Sequence, residues 1–145
     1  MMALIATKQL LMNYWRSLDK MFHIKTTIKN SPLHGIGLFA DENIFKGQKI
    51  YTENPNLDIF LSNEEFSKLP ENEKTTIQHY GYFDIQKNKW HLNFDDMRFC
   101  NHSKDGNITL IDKIVIIAKK DIKKGEELTQ NYEEFEVLRD KLKNC

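Results

Sequence analysis

Two short segments near the C-terminal end carry the side chains best suited to grip a ligand and act on it. The first is Arg98-Phe99-Cys100-Asn101-His102-Ser103, with Asn107 four positions on. The second is Gly125-Glu126-Glu127-Leu128-Thr129-Gln130-Asn131-Tyr132. An asparagine amide offers both a donor and an acceptor, which suits a zwitterion. Arg98 can reach a carboxylate, either a ligand's or that of Glu126 or Glu127, where it would be a structural ion pair. A buried tyrosyl hydroxyl such as that of Tyr132 can orient a reacting group, or be a satisfied part of a core. Upstream, Gly35-Ile36-Gly37 allows close backbone approach to a ligand, or a plain turn. His91, Cys100 and His102 make a poor metal cluster, and Cys100 reads better as a small buried hydrophobe.

Taken together, the two segments resemble the signature motifs of the SET domain family, protein lysine N-methyltransferases that use S-adenosylmethionine. Glu127-Leu128-Thr129-Gln130-Asn131-Tyr132 matches the family's Glu-Leu-Thr-x-x-Tyr, and Arg98-Phe99-Cys100-Asn101-His102-Ser103 matches its Arg-Phe-x-Asn-His-Ser. Gly35-Ile36-Gly37 falls on the N-terminal Gly-x-Gly, so the resemblance runs over roughly residues 22–135. It implies an α+β, mostly β fold of small curved sheets, with a C-terminal segment threaded beneath a preceding loop as a pseudoknot. It implies that Tyr132 is catalytic. The cofactor would be held by Gly35, Ile36, Gly37, Arg98, Phe99, Asn101, His102 and Phe135. Within that set, the Asn101 side chain and the His102 backbone would take the amino-acid and adenine ends of S-adenosylmethionine. The implied partner is a protein or peptide bearing a lysine.

Methyl transfer to an amine asks little of a protein. The electrophile must lie in line with a neutral nitrogen, with water kept out. A lysine amine has a pKa near 10.4, so only about one in a thousand is neutral near pH 7.4. Burial in an apolar channel favours the neutral form. A buried hydroxyl and backbone carbonyls then orient it, and aromatic walls suit an ammonium or sulfonium. Tyr80, Tyr82 and Trp90 are candidate walls, with core packing as the alternative for each.

The chain departs from the family pattern at several places. Lys104 stands where many members carry a cysteine, and Cys145 stands alone, so four soft ligands are missing and no structural zinc is expected. Gly106 replaces a usual proline. Tyr51-Thr52-Glu53-Asn54-Pro55 stands where Tyr-x-Gly is common, in the manner of compact microbial versions. Gln130 occupies a position where the family often has Phe or Tyr, a choice tied to how many methyl groups are added. These departures keep a second reading open, a weakly active or inactive domain that binds cofactor or peptide as an interaction module. A β-rich interaction module without cofactor is a third.

The elements that must position these residues follow from periodicity. Leu4, Ile5, Leu10, Leu11, Tyr14, Trp15 and Leu18 predict an amphipathic helix. Its apolar face would bury on its own domain or on a partner, including a second copy of the chain. Residues 1–21 are read as an extension and 22–145 as the domain. Alternation from Phe22 to Ile28 predicts a strand that ends at Asn30-Ser31-Pro32. Ile36–Ala40, Gln48–Thr52 and Leu57–Leu61 read as further strands, with Lys46-Gly47 as a turn. Ser62-Asn63-Glu64-Glu65 is a capping box opening a short helix, and Glu71–His79 predicts another. A hairpin is expected around Lys87-Asn88, joining Tyr82–Ile85 to Trp90–Asn93. Ile108–Ile111 and Ile114–Ala118 read as buried strands, and Glu133–Lys143 as a terminal helix.

Composition sets the outer bounds. At 145 residues and 40% apolar, the chain can bury a core and is not disordered. Lys plus Arg equals Asp plus Glu, 21 each, so general attraction to nucleic acid or anionic membrane is not expected. Two cysteines outside any CxxC give no disulfide framework, and an intracellular, reducing compartment is expected. No apolar run reaches membrane-helix length, and the N-terminus lacks the marks of a signal peptide.

Overall fold

β-Branched and aromatic runs of four or five residues, cut by Gly, Asn and Pro, fold as short strands because none is long enough to form a helix face. The computed structural model describes residue 8, residues 21–111 and residues 114–135. In it β1 (Thr26–Asn30) pairs antiparallel with β2 (Ile36–Ala40), in register from Thr26 opposite Ala40 to Asn30 opposite Ile36. After β3 (Lys49–Thr52) comes β4 (Ile59–Leu61), and then two helices, α1 (Asn63–Ser67) and α2 (Glu71–Tyr80). The hairpin of β5 (Tyr82–Asp84) and β6 (Lys89–Leu92) turns at Asn88, with φ 52°. Together β4, β6 and β5 form a three-stranded antiparallel sheet.

The capping box is complete. Glu65 N–H donates to Ser62 Oγ at 3.1 Å, and Ser62 N–H donates to Glu65 Oε2 at 2.7 Å. A 3₁₀ turn over Asp96–Phe99 follows the second sheet, capped by Asp95 accepting from Met97 N–H. It delivers the chain into β7 (Asn101–His102); β8 (Ile108–Ile111), β9 (Val115–Ala118) and β10 (Thr129–Gln130) come later.

The five-stranded sheet runs in the order β3-β9-β8-β10-β7. Strand β10 is parallel to both its neighbours and lies between β7 and β8, which the loop 103–107 connects. The C-terminal segment therefore threads beneath that loop, the pseudoknot expected from the sequence, against the usual rule that chains do not thread. Two residues of the loop make the passage tight. At Gly106 an added Cβ would stand 2.7–2.9 Å from backbone atoms of Thr129, Gln130 and Asn131. The glycine that replaces proline is thus a point of closest backbone approach. Asn107, buried, donates from Nδ2 to the Glu127 carbonyl at 2.8 Å and accepts at Oδ1 from Thr129 N–H at 2.9 Å. Its side chain works as one more peptide unit in the ladder.

The core lies between β2, the large sheet and the segment after β9. Leu38, Ile44, Ile50, Tyr51, Ile108, Ile122 and Leu128 are each almost fully buried. Isolated bridges between Ile44 and Ile122, and between Phe39 and Glu127, fasten the segment after β9 alongside β2.

Several expectations shift. The first strand starts at Thr26, because Phe22 is committed to an isolated bridge and an edge-on ring contact with Tyr51 at 5.0 Å. Tyr132–Phe135 forms a 3₁₀ turn where an α-helix was expected from Glu133, and the remainder of that helix lies outside the described residues. The N-terminal helix over 4–18 likewise lies outside them, save for an exposed, helical Lys8. No helix among the described residues is long and apolar enough to cross a membrane.

Candidate functional site

Threading brings the two motif segments edge to edge. Thr129 pairs with Asn101 and Gln130 with His102. The chain then turns at Tyr132, whose N–H donates to His102 Nδ1 at 3.1 Å. The tautomer of His102 with its proton on Nε2 follows from that bond, and the imidazole serves to place Tyr132. The Tyr132 side chain points inward and its hydroxyl donates to the Cys100 carbonyl at 2.5 Å. That bond fixes the hydroxyl proton, since a phenol has one hydrogen to donate.

Two cavities meet at this tyrosine. One, of about 290 Å³, is lined by Ile36, Arg98, Phe99, Asn101 and Tyr132 from the expected set, with His34 and part of α2 opposite. The other, of about 270 Å³, is lined by Tyr51, Glu53, Tyr82, Cys100, Gln130 and Tyr132, among others. Tyr80, Arg98 and Tyr132 border both.

In the first of these cavities Arg98 stacks over the Phe99 ring at 4.9 Å and makes no ion pair among the described residues. The structural alternative, a bridge to Glu126 or Glu127, is not formed among the described residues, and the Glu127 carboxylate is held by other donors. Ser31 Oγ donates to both its oxygens at 2.8 and 2.9 Å, and Asn101 Nδ2 donates to Oε1 at 2.8 Å. Asn101 Nδ2 also reaches the carbonyls of His34 and Ile36 at 3.0 and 3.2 Å. Its donor side therefore fixes the wall built by the Gly-x-Gly segment, while Oδ1 accepts from no described residue. Gly35 adopts φ 48°. At Gly37 a side chain would collide with the Glu127 carboxylate and stand 2.9 Å from Ser31 Cβ. The close approach that glycine permits is thus to Glu127. Neither Gly35, Gly37 nor His102 lines the cavity; they support those that do. Phe135 ends the 3₁₀ turn after Tyr132, and its side chain lies outside what is described.

The second cavity is aromatic, apolar and acidic by turns. Burial, reinforced by Asp95 and Asp58, pushes the Tyr51 phenol far above its ordinary range, and Tyr51 donates to Asp95 Oδ2 at 3.1 Å. Burial does the same for Tyr82. Both stay neutral hydroxyls at any working pH. Burial raises Glu53 above the usual carboxylate range, with His91 and Lys87 pulling the other way. Gln130 faces this cavity, and its amide makes no side-chain hydrogen bond among the described residues. Trp90 lines neither cavity. It stacks on Phe66 at 4.4 Å and donates to Asn63 Oδ1 at 3.2 Å, pinning α1 to β6.

Sequence reasoning missed the role of Glu127 as hub, of Asn107 as clamp, and of the α2 face as cavity wall. A Glu at the head of the second motif is a signal for the first. The other two depend on which segments meet, which no local pattern encodes.

The SET domain profile matches residues 35–133. Among curated protein sequences nothing matches this chain. Among solved structures, a Plasmodium falciparum chain described as a putative histone methyltransferase is similar at 26% identity and TM-score 0.53, over 77% of this chain and 95% of that one. Polycomb Repressive Complex 2 of Chaetomium thermophilum, in an autoinhibited conformation bound to S-adenosylmethionine, is similar at 27% identity and TM-score 0.57. That match covers 83% of this chain and 17% of the other. A humanized mutant of the same complex bound to the inhibitor GSK126 matches at 25% identity and TM-score 0.57, over 77% of this chain and 15% of that one. This chain thus spans about a sixth of the Polycomb chains it matches. With the profile running from the Gly-x-Gly to the turn at Tyr132, over the threaded fold itself, the chain belongs to the SET domain family.

Proposed function

We propose that this chain methylates a lysine side chain of a protein or peptide, with S-adenosylmethionine as the methyl donor. One observation carries the reading: Tyr132 forms a wall common to two cavities of different chemistry. When bound, S-adenosylmethionine supplies an electrophilic methyl on a sulfonium. The donor set of the 290 Å³ cavity fits it. Arg98, which makes no ion pair among the described residues, would offer its guanidinium to a carboxylate, Asn101 Oδ1 would accept from an ammonium, and the Tyr80 and Phe99 rings suit a cation or a flat base.

The 270 Å³ cavity receives the lysine. Glu53, Asp84 and Glu134 border it, with Asp84 paired to Lys87 and Glu134 to Lys119, so its polar edge carries both signs of charge. Met97, Leu110 and Ile116 line it further and disfavour the lysine's charge once inside, which favours loss of the proton. Tyr132 Oη, its proton committed to the Cys100 carbonyl, accepts from the amine and turns the nitrogen lone pair toward the first cavity. Gln130 adds a second polar contact at the same wall. An amide there holds an amine or a water, so it bears on how many methyl groups the site admits.

Tyr132→Phe tests the reading. The expected result is a loss of methyl release of about 100-fold or more, with calorimetric affinity for S-adenosylmethionine almost unchanged. Full activity of the variant would sink the mechanism. A wild-type chain whose melting temperature does not rise with S-adenosylmethionine would sink the cofactor assignment.

A further inference from the structure

Away from the motif residues, one buried cluster has incomplete hydrogen bonding. Glu53 follows β3, Asp58 precedes β4 and His91 lies in β6, so three segments converge on one point. Their side chains are 9%, 0% and 1% exposed. Asp58 Oδ1 accepts from Phe94 N–H at 3.1 Å; Oδ2 accepts from Asn93 Nδ2 at 3.2 Å and lies 2.9 Å from His91 Nε2. Glu53 Oε1 lies 3.1 Å from that same nitrogen, yet it has no hydrogen-bond partner among the described residues. One Nε2–H directed at Asp58 cannot serve both carboxylates. A buried carboxylate oxygen left unpaired calls for an ion or a proton to complete it.

We propose that Glu53, Asp58 and His91 bind one divalent transition-metal ion of the zinc, cobalt or manganese class. The three donor atoms all lie within 4.8 Å of one another. Separations of 2.9 and 3.1 Å from His91 Nε2 match the edge of about 3.0 Å between neighbouring ligands each about 2.1 Å from an octahedral metal. The imidazole is already oriented. Phe60 stacks on it at 4.4 Å and Tyr82 leans on it at 4.9 Å. His91 Nδ1 lies 2.6 Å from the Tyr82 hydroxyl. With the proton on Nδ1 and donated to Tyr82, the Nε2 lone pair faces the two carboxylates. That is the outer-sphere arrangement metal-bound histidines use. Imidazole with carboxylate and no thiolate selects borderline first-row ions over soft ones. A dication also neutralises two carboxylates buried in low dielectric. Glu53 and Tyr82 border the 270 Å³ cavity, which gives the ion an entry path and leaves its open positions to water. Built from imidazole and carboxylates, this site differs in kind from a four-thiolate zinc site. It stands whether or not the chain transfers methyl groups.

The test uses the full chain, free of affinity tags and stripped by chelator. Zinc is titrated by calorimetry, cobalt by its visible absorption, and melting is followed with each. One ion per chain is expected, with a melting temperature that rises as metal is added. Glu53→Gln is the decisive variant, because Oε1 has no hydrogen bond to lose among the described residues and the fold should persist by melting. It should weaken zinc by more than about 100-fold, beyond the loss typical of an outer-sphere partner. Tyr82→Phe should weaken it by about 10-fold or more. Glu73→Gln, an exposed acid on α2, should leave it unchanged. Absence of saturable zinc or cobalt uptake would overturn the proposal. So would affinity that survives Glu53→Gln, or a His91 imidazolium seen by nitrogen-15 NMR after metal has been added.

Discussion

Asn107→Asp changes one atom in the clamp that holds the threaded strand, and the cost can be worked out from the bonds it makes. The side chain is 6% exposed, donates to the Glu127 carbonyl at 2.8 Å and accepts from Thr129 N–H at 2.9 Å. Aspartate keeps the acceptor but sets a second oxygen where Nδ2 stood. Near neutral pH the Glu127 carbonyl loses its donor, at about 1–3 kcal/mol, and a carboxylate is buried against it. A net loss of about 3 kcal/mol is expected, or about 10 °C for a chain of this size. A protonated aspartic acid can donate to Glu127 and restore the pattern. Its folded pKa is therefore raised above the unfolded value of about 3.9. The sign follows: the recovered stability is fully present below about pH 4 and is lost as pH rises through the folded pKa. Urea melts at pH 7 and pH 4.5, each against wild type, should show the gap shrinking at the lower pH. Asn107→Ala, which loses both bonds, should show a deficit of similar size that does not narrow. If Asn107→Asp melts within about 2 °C of wild type at pH 7, the clamp contributes little. If its gap is the same at both pH values, the donor to Glu127 is not what matters.

Two further substitutions probe the supports of the site. Gly37→Ala sets a methyl against the Glu127 carboxylate and Ser31, and should cost about 2 kcal/mol in chemical denaturation. Adding Glu127→Ala should remove much of that increment in a double-mutant cycle, whereas strict additivity would place the clash elsewhere. Lys119 and Thr109 donate to Glu134 and hold its carboxyl below the usual range. That stability is present above the unfolded pKa and lost as pH falls through the folded one. Because Lys119 and Glu134 are 37% and 34% exposed, Lys119→Met should cost no more than about 1 kcal/mol at pH 7, less in high salt. A salt-insensitive loss would argue against an ionic origin.

Local pattern was sufficient where a residue's neighbours in sequence are its neighbours in space. The capping box at Ser62, the strand over Ile36–Ala40 and the hairpin at Asn88 are all of this kind. Each is a backbone preference realised within a few residues. The motif residues were also legible, since Arg98, Phe99, Asn101 and Tyr132 converge on one pair of cavities. What each does there was not. Asn101 spends its donor hydrogens on the protein, and His102 uses its ring on the Tyr132 backbone. Strands β7 and β10, two residues each, are too short to leave any periodicity.

By itself, the sequence determined the family, the order of the longer elements and the tyrosine that proves to border both cavities, because those rest on residue type and short-range spacing. Only the tertiary structure decided that Glu127 is spent on Ser31 and Asn101, that Gly106 and Asn107 close a loop over β10, and that Glu53 and Asp58 flank His91. Those partners lie from 20 to 96 positions apart, as for Asn107 with Glu127 and Ser31 with Glu127. Contacts at that range are set by how strands stack and thread, and no run of neighbouring residues carries them.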